Sequence, residues 1–308
     1  MAIVSRDKSS RERIDVMQST RTIEIVDTTL RDGEQSPGIV FSAPDKLMIA
    51  TALDQAGVHW IEAGVPAMGE EEQEAMKLIL SAPLKAKVIA WNRASRSDIL
   101  ASVACGFSFL HISVPVSDLH IEQKLNKSRE WVLDQLEQSI LLAKSFGCTV
   151  SVGAEDASRA NREYFLQVAE VAAKMGAIRI RYADTVGCLH PVLVHDIFTD
   201  IAPRCPLPIE VHMHNDFGLA NANTLVALHA GAVLASATIA GIGERAGNAA
   251  LEEVVSGMQV IYDIHTDIDV GAFSSLGNLV MQICGRELFP YKPVVGSAFA
   301  VNNHNKTA

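Results

Sequence analysis

Two histidines separated by one residue, His212 and His214, point more directly to chemistry than any other side chains in this sequence. They end an apolar run with the composition of a β-strand, and side chains two positions apart on a strand point in the same direction. The spacing therefore predicts two imidazoles that face one point beyond the strand's end. Together with a carboxylate, imidazoles bind Zn, Mn, Fe or Co, and open positions on such an ion suit catalysis. The alternative is a pair of hydrogen-bonded core histidines. We expect a structural or surface role for five further histidines: His59, His111, His195, His229 and His265.

A carboxylate beside an arginine follows the first apolar run of the chain. Asp32 lies between Arg31 and Gly33, and the glycine allows the backbone to turn so that the carboxylate faces the strand's end. An arginine next to a metal-bound carboxylate is suited to stabilising an enolate or alkoxide oxygen as its charge develops. Asp27, five residues earlier, could also bring a carboxylate to this site. It could equally well close the strand through turn hydrogen bonds.

A glycine-rich segment near the end of the predicted fold finishes at Asn248, whose amide could reach the metal site. Its glycine spacing is not that of the dinucleotide-binding fingerprint. A plain strand-to-helix turn capped by Asn248 is the alternative. Glu155 and Asp156 follow the fifth predicted strand and Thr185 follows the sixth, so they are expected at the same end of the sheet. Asp156 could instead cap a helix.

The elements that must position these residues alternate regularly along the chain. The predicted strands are 22–27, 60–64, 86–91, 109–114, 149–153, 177–182, 208–212 and 236–240. The predicted helices are 43–57, 71–80, 129–147, 162–176, 192–202 and 221–231, and several end at a glycine. Eight strands that repeat about every 30 residues favour an α/β fold, a (β/α)8 TIM barrel, with chemistry at the carboxyl ends of its strands. A doubly wound open sheet would show the same local alternation.

Composition narrows the class of protein further. We expect residues 1–21 to be a disordered polar tail, 22–270 to form the catalytic barrel and 271–308 to form a short C-terminal arm. The formal net charge of -10 argues against nucleic-acid or anionic-membrane partners. No apolar run approaches the roughly 20 residues that span a bilayer. The five cysteines are scattered without a Cys-x-x-Cys pair, which favours a reducing cytoplasm over a disulfide framework or a structural zinc site.

Four segments of the chain resemble a known family in the right order: 27–38, 183–187, 212–216 and 241–248. The resemblance is to the 2-isopropylmalate/homocitrate synthases, which are metal-dependent TIM-barrel enzymes, and it runs from about residue 22 to 270. Segments 66–72, 113–118 and 155–160 are most similar to the homocitrate synthases of nitrogen-fixing bacteria. The resemblance implies an acyltransferase that condenses acetyl-CoA with a 2-oxo acid, 2-oxoglutarate to homocitrate being favoured, at a divalent Mn, Mg or Zn ion.

The resemblance also assigns roles to residues. The metal ligands it implies are Asp32, His212 and His214, with Asn248 at or near the coordination sphere. Arg31 would polarise the keto oxygen, Thr185 would hold the carboxylate of the 2-oxo acid, and Glu155 would orient the reacting groups.

Unlike a monocarboxylic 2-oxo acid, 2-oxoglutarate has a second carboxylate, and a protein that binds it needs a cation for that group. Some lysine-pathway homocitrate synthases place an arginine where this chain has Ser151. We therefore expect Arg93 or Arg181 to bind that carboxylate, although Arg181 could equally pair with a surface acid. Sibling synthases of the isopropylmalate, citramalate or phosphonomethylmalate type are alternatives. So is a hydroxymethylglutaryl-CoA lyase, although segment 241–248 lacks the cysteine of those lyases.

The C-terminal segment departs from the family pattern. Synthases of the family continue past the barrel with a His-Glu-x-Gly-Ile-His stretch, whose first histidine helps to deprotonate acetyl-CoA in the partner subunit. Residues 294–300 follow the family up to that point, and the chain then diverges, with His304 nearby but out of register. We therefore expect a chain that is short relative to its family. We expect it to form a homodimer. Either a second subunit supplies the missing histidine, or His304 has taken over its role, or the protein condenses poorly or is a barrel-only non-catalytic subunit.

Overall fold

Eight parallel strands close into a barrel in the computed structural model, which describes residues 22–298. The strands are β1 (Glu24–Asp27), β2 (Trp60–Gly64), β3 (Lys87–Arg93), β4 (Phe109–Pro115), β5 (Thr149–Glu155), β6 (Ile180–Asp184), β7 (Ile209–Met213) and β8 (Leu234–Ala237). Closure is direct, because β1 pairs on one side with β2 and on the other with β8. The predicted TIM barrel is confirmed, and the open-sheet alternative is wrong.

Helices connect successive strands around the outside of the barrel. They are α1 (Ala43–Gln55), α2 (Glu70–Ser81), α3 (Arg96–Cys105), α4 (Arg129–Ser145), α5 (Arg162–Lys174), α6 (Pro191–Ile201), α7 (Ala220–Ala230), α8 (Leu251–Tyr262) and α9 (Phe273–Ile283). Side-chain caps begin several of them: Ser42 forms a capping box with Asp45, and Asn161 accepts hydrogen bonds from the first turn of α5. All six predicted helices are present, whereas α3, α8 and α9 were not predicted.

The last strand is shorter and earlier than predicted. Sequence pattern placed it at 236–240, but β8 ends at Ala237, and Ile239–Gly241 is a 3-10 turn. The apolar pattern continues past the strand because Ile239 is buried within the turn. There the backbone leaves β1, and the amide of Thr238 donates to the carbonyl of Ala249 instead.

Ion pairs rather than aliphatic side chains fill part of the barrel interior. Arg181 donates from Nη2 to Glu62 Oε2 and from Nε to Glu210 Oε1, each at 2.6 Å. Arg179 donates from Nε to the other Glu210 oxygen at 2.8 Å. Branched apolar residues usually occupy this space in TIM barrels. Buried charges are tolerated here because each is paired and hydrogen-bonded.

The segment after residue 270 lies on the barrel over its described part. It contains α9 and is joined to the body by Lys292, whose Nζ lies 2.6 Å from Glu253 Oε1. Arg286 donates to the carbonyl of Pro37 at 2.7 Å, next to the segment after β1. The expected polar tail at 1–21 and His304 lie outside the described residues. No helix between residues 22 and 298 combines the length and apolar character needed to cross a bilayer.

Candidate active site

Asp32, His212 and His214 meet at the carboxyl end of the barrel. Asp32 follows β1, His212 is on β7 and His214 directly follows that strand. Asp32 Oδ2 lies 3.0 Å from His212 Nε2 and 3.8 Å from His214 Nε2. The two Nε2 atoms are 3.1 Å apart, and the rings are almost perpendicular. Among the residues that the structure describes, no other cluster of three histidine, cysteine or acidic side chains has this geometry.

The chemistry of this donor set fits a divalent cation. Burial alone would raise the pKa of Asp32, but the charge of Arg31 and the imidazole of His212 outweigh it and hold that pKa well below its ordinary value. Burial lowers the pKa of His214 to about 4, so its imidazole is neutral at pH 7. At most one hydrogen can lie between the two Nε2 atoms. Imidazole lone pairs and an ionised carboxylate that share one small volume are ligands suited to a metal.

Asn248 adds an amide oxygen beside this cluster. It forms a β-bridge with His214, and its Nδ2 donates to the carbonyl of Ile242 at 3.0 Å. Its Oδ1 is buried and lacks a hydrogen-bond partner within the described part of the chain. The capping alternative is not observed, because the N-cap of α8 is Ala250, without a side-chain cap. An unpartnered buried acceptor costs about 1–3 kcal/mol, so Asn248 fits a further oxygen ligand.

The glycines before Asn248 are required by close backbone approach. A Cβ on Gly247, whose φ is +90°, would lie 2.0 Å from the carbonyl oxygen of Gly241. A Cβ on Gly243 would lie 2.2 Å from Asn248 Nδ2. This segment also contacts the loop after β1, because Ser36 Oγ donates to the carbonyl of Gly243 and accepts from its amide, at 2.7 and 2.8 Å. The loops after the first and last strands therefore form one unit.

Arg31 lies beside the cluster in a fixed orientation. Its Nε donates to Glu62 Oε1, and its Nη1 is 3.5 Å from Asp32 Oδ1. The guanidinium carbon is 5.8 Å from the centre of the Trp91 ring. Sequence reasoning did not select Glu62, because nothing in its apolar run signals that its carboxylate binds an arginine from another strand.

A cavity of about 300 Å³ opens from the cluster, large enough for a small organic acid. Arg31, Thr185 and Glu155 line it, together with the three cluster residues. The hydroxyl of Thr185 accepts from the backbone amide of Asp156 at 2.9 Å, which leaves its hydrogen free to donate. The residues predicted after β1, β5, β6 and β7 are thus brought to one cavity.

The two arginines considered for the second carboxylate also line the cavity, but each has acidic partners. Arg93 is exposed and donates from Nε and Nη2 to Asp98 at 2.8 and 2.9 Å. Arg181 is bound by Glu62 and Glu210, so the acid-pairing alternative describes its main contacts, with buried rather than surface acids.

Two further residues of the cavity were not selected from the sequence. His111, expected to be structural or on the surface, is buried, hydrogen-bonds Ser151 through Nδ1 at 2.9 Å and lines the cavity. Lys124 ends a short π-helix, Leu119–Lys124, and its Nζ lies 3.4 Å from Glu155 Oε1 at the rim. The signal for Lys124 was only its position about ten residues after a strand, which is too weak to select it.

Two acidic residues have structural roles. Asp27 accepts hydrogen bonds from the amide and hydroxyl of Thr29, so it closes the strand as one alternative proposed, and burial raises its pKa to about 7. Asp156 precedes a 3-10 turn without capping it through its side chain. Its carboxylate instead binds Arg159 and Ser117, and its φ is +61°.

Comparison with known proteins gives the family. A model described as HMGL-like matches residues 22–280, most of the chain. This protein belongs to the HMGL-like family. It is 45% identical over 285 residues to the homocitrate synthase of Frankia alni, covering 92% of this chain and 81% of that one. It is 44% identical over 276 residues to 2-isopropylmalate synthase 2 of Caldanaerobacter subterraneus subsp. tengcongensis, covering 90% and 72%. The resemblance predicted from the motifs is confirmed.

This chain is also similar to a further relative and to a solved structure. Homocitrate synthase subunit alpha of Clostridium pasteurianum is 48% identical over 226 residues, covering 73% of this chain and 84% of that one. Among solved structures, the HMG-CoA lyase of Bacillus subtilis superposes with a TM-score of 0.79 at 21% identity, covering 92% of this chain and 98% of that chain. At that identity the superposition supports the fold alone.

Proposed function

We propose that this HMGL-like protein condenses acetyl-CoA with a 2-oxo acid, with 2-oxoglutarate favoured and homocitrate as the product. The methyl carbon of the acetyl group loses a proton and bonds to the keto carbon, whose oxygen gains a proton, and water then releases CoA from the thioester. The convergence of Asp32, His212 and His214 beside a cavity of about 300 Å³ is the observation that carries the proposal. A Mn, Mg or Zn ion held there, with Asn248 at or near its coordination sphere, would act as a Lewis acid on the 2-oxo acid.

The other side chains of the cavity would bind and orient the substrate. Arg31 is held beside Asp32, so its guanidinium is available to the keto oxygen and to the negative charge that develops there. The Thr185 hydroxyl would donate to the carboxylate next to the keto group. Glu155 lies at the rim next to Lys124, where it would orient the thioester.

Charge at the rim favours a diacid as the acceptor. Lys124 and Arg93 both line the cavity, are exposed and each contact one carboxylate, whereas Arg181 is bound by two buried carboxylates. We propose that Lys124 and Arg93 together attract the second carboxylate of 2-oxoglutarate. Pyruvate and 2-oxoisovalerate, which siblings of the citramalate and isopropylmalate types would use, have no second anionic group to meet these cations.

A second candidate function rests on one comparison. The relative from Clostridium pasteurianum, of which this chain covers 84%, is named a subunit alpha. By analogy, this chain would be the metal-binding subunit of a synthase, and a second subunit would supply a histidine that deprotonates acetyl-CoA. In that case the isolated chain would bind metal and 2-oxo acid without releasing CoA.

The test is a panel of 2-oxo acids with acetyl-CoA and Mn²⁺ or Mg²⁺, in which free CoA and the condensed product are both measured. We expect turnover with 2-oxoglutarate, and about 100-fold less after Asp32→Asn, because a metal ligand is lost. Asp27→Asn is the matched control, since Asp27 is equally buried but bonded to Thr29 outside the cluster. Turnover with pyruvate alone would move the assignment to a citramalate-type synthase. Metal-dependent binding of a 2-oxo acid without turnover would favour the subunit candidate. Absence of both binding and turnover would refute the synthase and the subunit candidates alike.

A further inference from the structure

Glu62 joins the residue proposed to contact the substrate to the ion pairs of the barrel interior. It lies on β2, is wholly buried, and accepts from two arginines at once. Oε1 accepts from Arg31 Nε, and Oε2 accepts from Arg181 Nη2 at 2.6 Å. Arg181 in turn donates to Glu210, its register partner on the neighbouring strand β7. Each Glu62 oxygen therefore has a separate charged partner.

These contacts determine the orientation of the Arg31 guanidinium. A guanidinium is planar with a rigid set of N–H groups, so an acceptor on Nε fixes the plane in which the two Nη groups lie. One of those groups, Nη1, lies 3.5 Å from Asp32 Oδ1. The face of the guanidinium is 5.8 Å from the Trp91 ring, a long contact that restrains it less. Glu62 is thus the principal restraint on Arg31.

Glu62 is itself held in place from the other side. The charge of Arg181 keeps the pKa of Glu62 well below its ordinary value, although burial alone would raise it. Because Arg181 is also bound by Glu210, it cannot turn away from Glu62 without losing two charged hydrogen bonds in the buried interior. The network therefore presents an ionised, immobile carboxylate to Arg31.

We propose that Glu62 is a positioning residue that fixes the Arg31 guanidinium at the metal cluster. This proposal depends on the proposed function at one point, because it takes Arg31 as the residue that contacts the keto oxygen. Without Glu62, Arg31 would keep its charge but lose the geometry in which that charge faces the reacting oxygen.

The chain offers a matched pair of variants for the test. Glu62→Gln and Glu210→Gln each remove one charge from the same buried network at Arg181, but only Glu62 contacts Arg31. We expect both to lower the melting temperature. Glu62→Gln should lower kcat about 10- to 100-fold, whereas Glu210→Gln should stay within about 3-fold of wild type. Mn²⁺ affinity should stay within about 3-fold in both, because neither Glu62 nor Glu210 hydrogen-bonds a residue of the cluster.

A second readout does not depend on turnover. In ¹⁵N-labelled protein, the Arg31 Nε–H should give a slowly exchanging signal, identified by its absence from Arg31→Lys. We expect that signal to persist in Glu210→Gln and to vanish in Glu62→Gln. If the wild-type protein turns over no 2-oxo acid, the proposed function fails, and this signal still decides whether Glu62 fixes Arg31.

Equal losses of kcat in the two variants, or an Arg31 signal that persists in Glu62→Gln, would overturn the proposal. Should Glu62→Gln not fold, Glu62→Asp keeps the charge and shortens the side chain by one methylene. It should fold, lose the protected signal and lower kcat about 5-fold. Wild-type values for Glu62→Asp would likewise overturn it.

Discussion

Arg245 Nη2 lies 3.1 Å from His214 Nδ1, the ring nitrogen on the side away from Asp32. A guanidinium has only donors, and the two hydrogens of Nη2 have nearer acceptors in the Thr185 carbonyl and Asp216 Oδ2, each at 2.8 Å. A hydrogen on Nδ1 would therefore point at a cation and find no acceptor, which disfavours that tautomer. In a neutral imidazole the hydrogen is then on Nε2, the atom that faces the proposed metal position. Arg245 is held there by Asp216 and by the carbonyl of Thr185. The contact therefore opposes metal binding through His214.

We expect Arg245→Gln to bind Mn²⁺ about 3- to 10-fold more tightly than wild type. The glutamine can accept from Nδ1–H, which frees the Nε2 lone pair, and it removes a positive charge close to the ion. Calorimetric titration with Mn²⁺ would measure the change. Arg245→Lys is the control, because lysine keeps the charge and donates only, and it should remain close to wild type. Weaker binding by Arg245→Gln would contradict the interpretation.

Replacement of Gly247 should disrupt the loop that carries Asn248. Gly247 combines a φ of +90° with a Cβ position 2.0 Å from a backbone oxygen, whereas Gly218 has a φ of +73° and open space around its Cβ position. We expect Gly247→Ala to cost about 2–4 kcal/mol in unfolding free energy and to weaken Mn²⁺ binding. Gly218→Ala should cost about 1 kcal/mol and leave Mn²⁺ binding unchanged. Urea unfolding and Mn²⁺ titration would measure both effects, and similar losses in the two variants would count against steric contact as the cause.

Lys124 and Arg93, the exposed cations at the rim of the cavity, should affect the KM for 2-oxoglutarate. Within residues 22–298 the only acidic partner of Lys124 is Glu155, at 3.4 Å, whereas Arg93 makes two shorter bonds to Asp98. We therefore expect Lys124→Ala to raise KM about 3- to 10-fold and Arg93→Ala to raise it less. Lys127→Ala removes a nearby charge that does not line the cavity, and it should leave KM unchanged. A KM for 2-oxoglutarate that is unchanged in Arg93→Ala would exclude Arg93 from binding the substrate.

Glu252 should make stability depend on pH. Burial raises its pKa to about 7, and Lys292, 3.8 Å away, only partly offsets the effect. The carboxyl is protonated in the folded protein at pH 5 but mostly ionised in the unfolded chain, so its stabilising contribution is lost as pH rises through about 7. The unfolding free energy of Glu252→Gln minus that of wild type should be higher at pH 8 than at pH 5, by roughly 1–3 kcal/mol. Urea unfolding at both values tests this, and a constant difference would disprove it.

The fold could be predicted from the sequence where hydrophobic period and helix signals agree. The strand β2 begins and ends as predicted, because polar or glycine residues border its apolar run. The helix α3 was missed because its buried face includes Asp98 and Ser102, which hide the helical period. In α9 the period is present, with Phe273, Leu276 and Val280 buried, but the segment was interpreted as an arm because it follows the eighth strand.

The candidate site was predictable only in part. The histidine pair and Asp32 could be selected because strand geometry relates residues that are close in sequence or at strand ends. Glu62 and Arg245 could not, because their roles depend on side chains brought together from distant strands and loops. Spacing along the chain contains no information about such contacts.

The paired loops that follow the first and last strands have a consequence for how the protein is made. Ser36 and Gly243 are 207 positions apart, and Asp32 and Asn248 lie just outside that pair. If Asp32 and Asn248 both bind the proposed ion, a nascent chain on the ribosome cannot complete the site until nearly the whole barrel has emerged. A bound ion would tie the early part of the polypeptide to the late part, so removal of the ion should weaken the contact between the loops that follow β1 and β8.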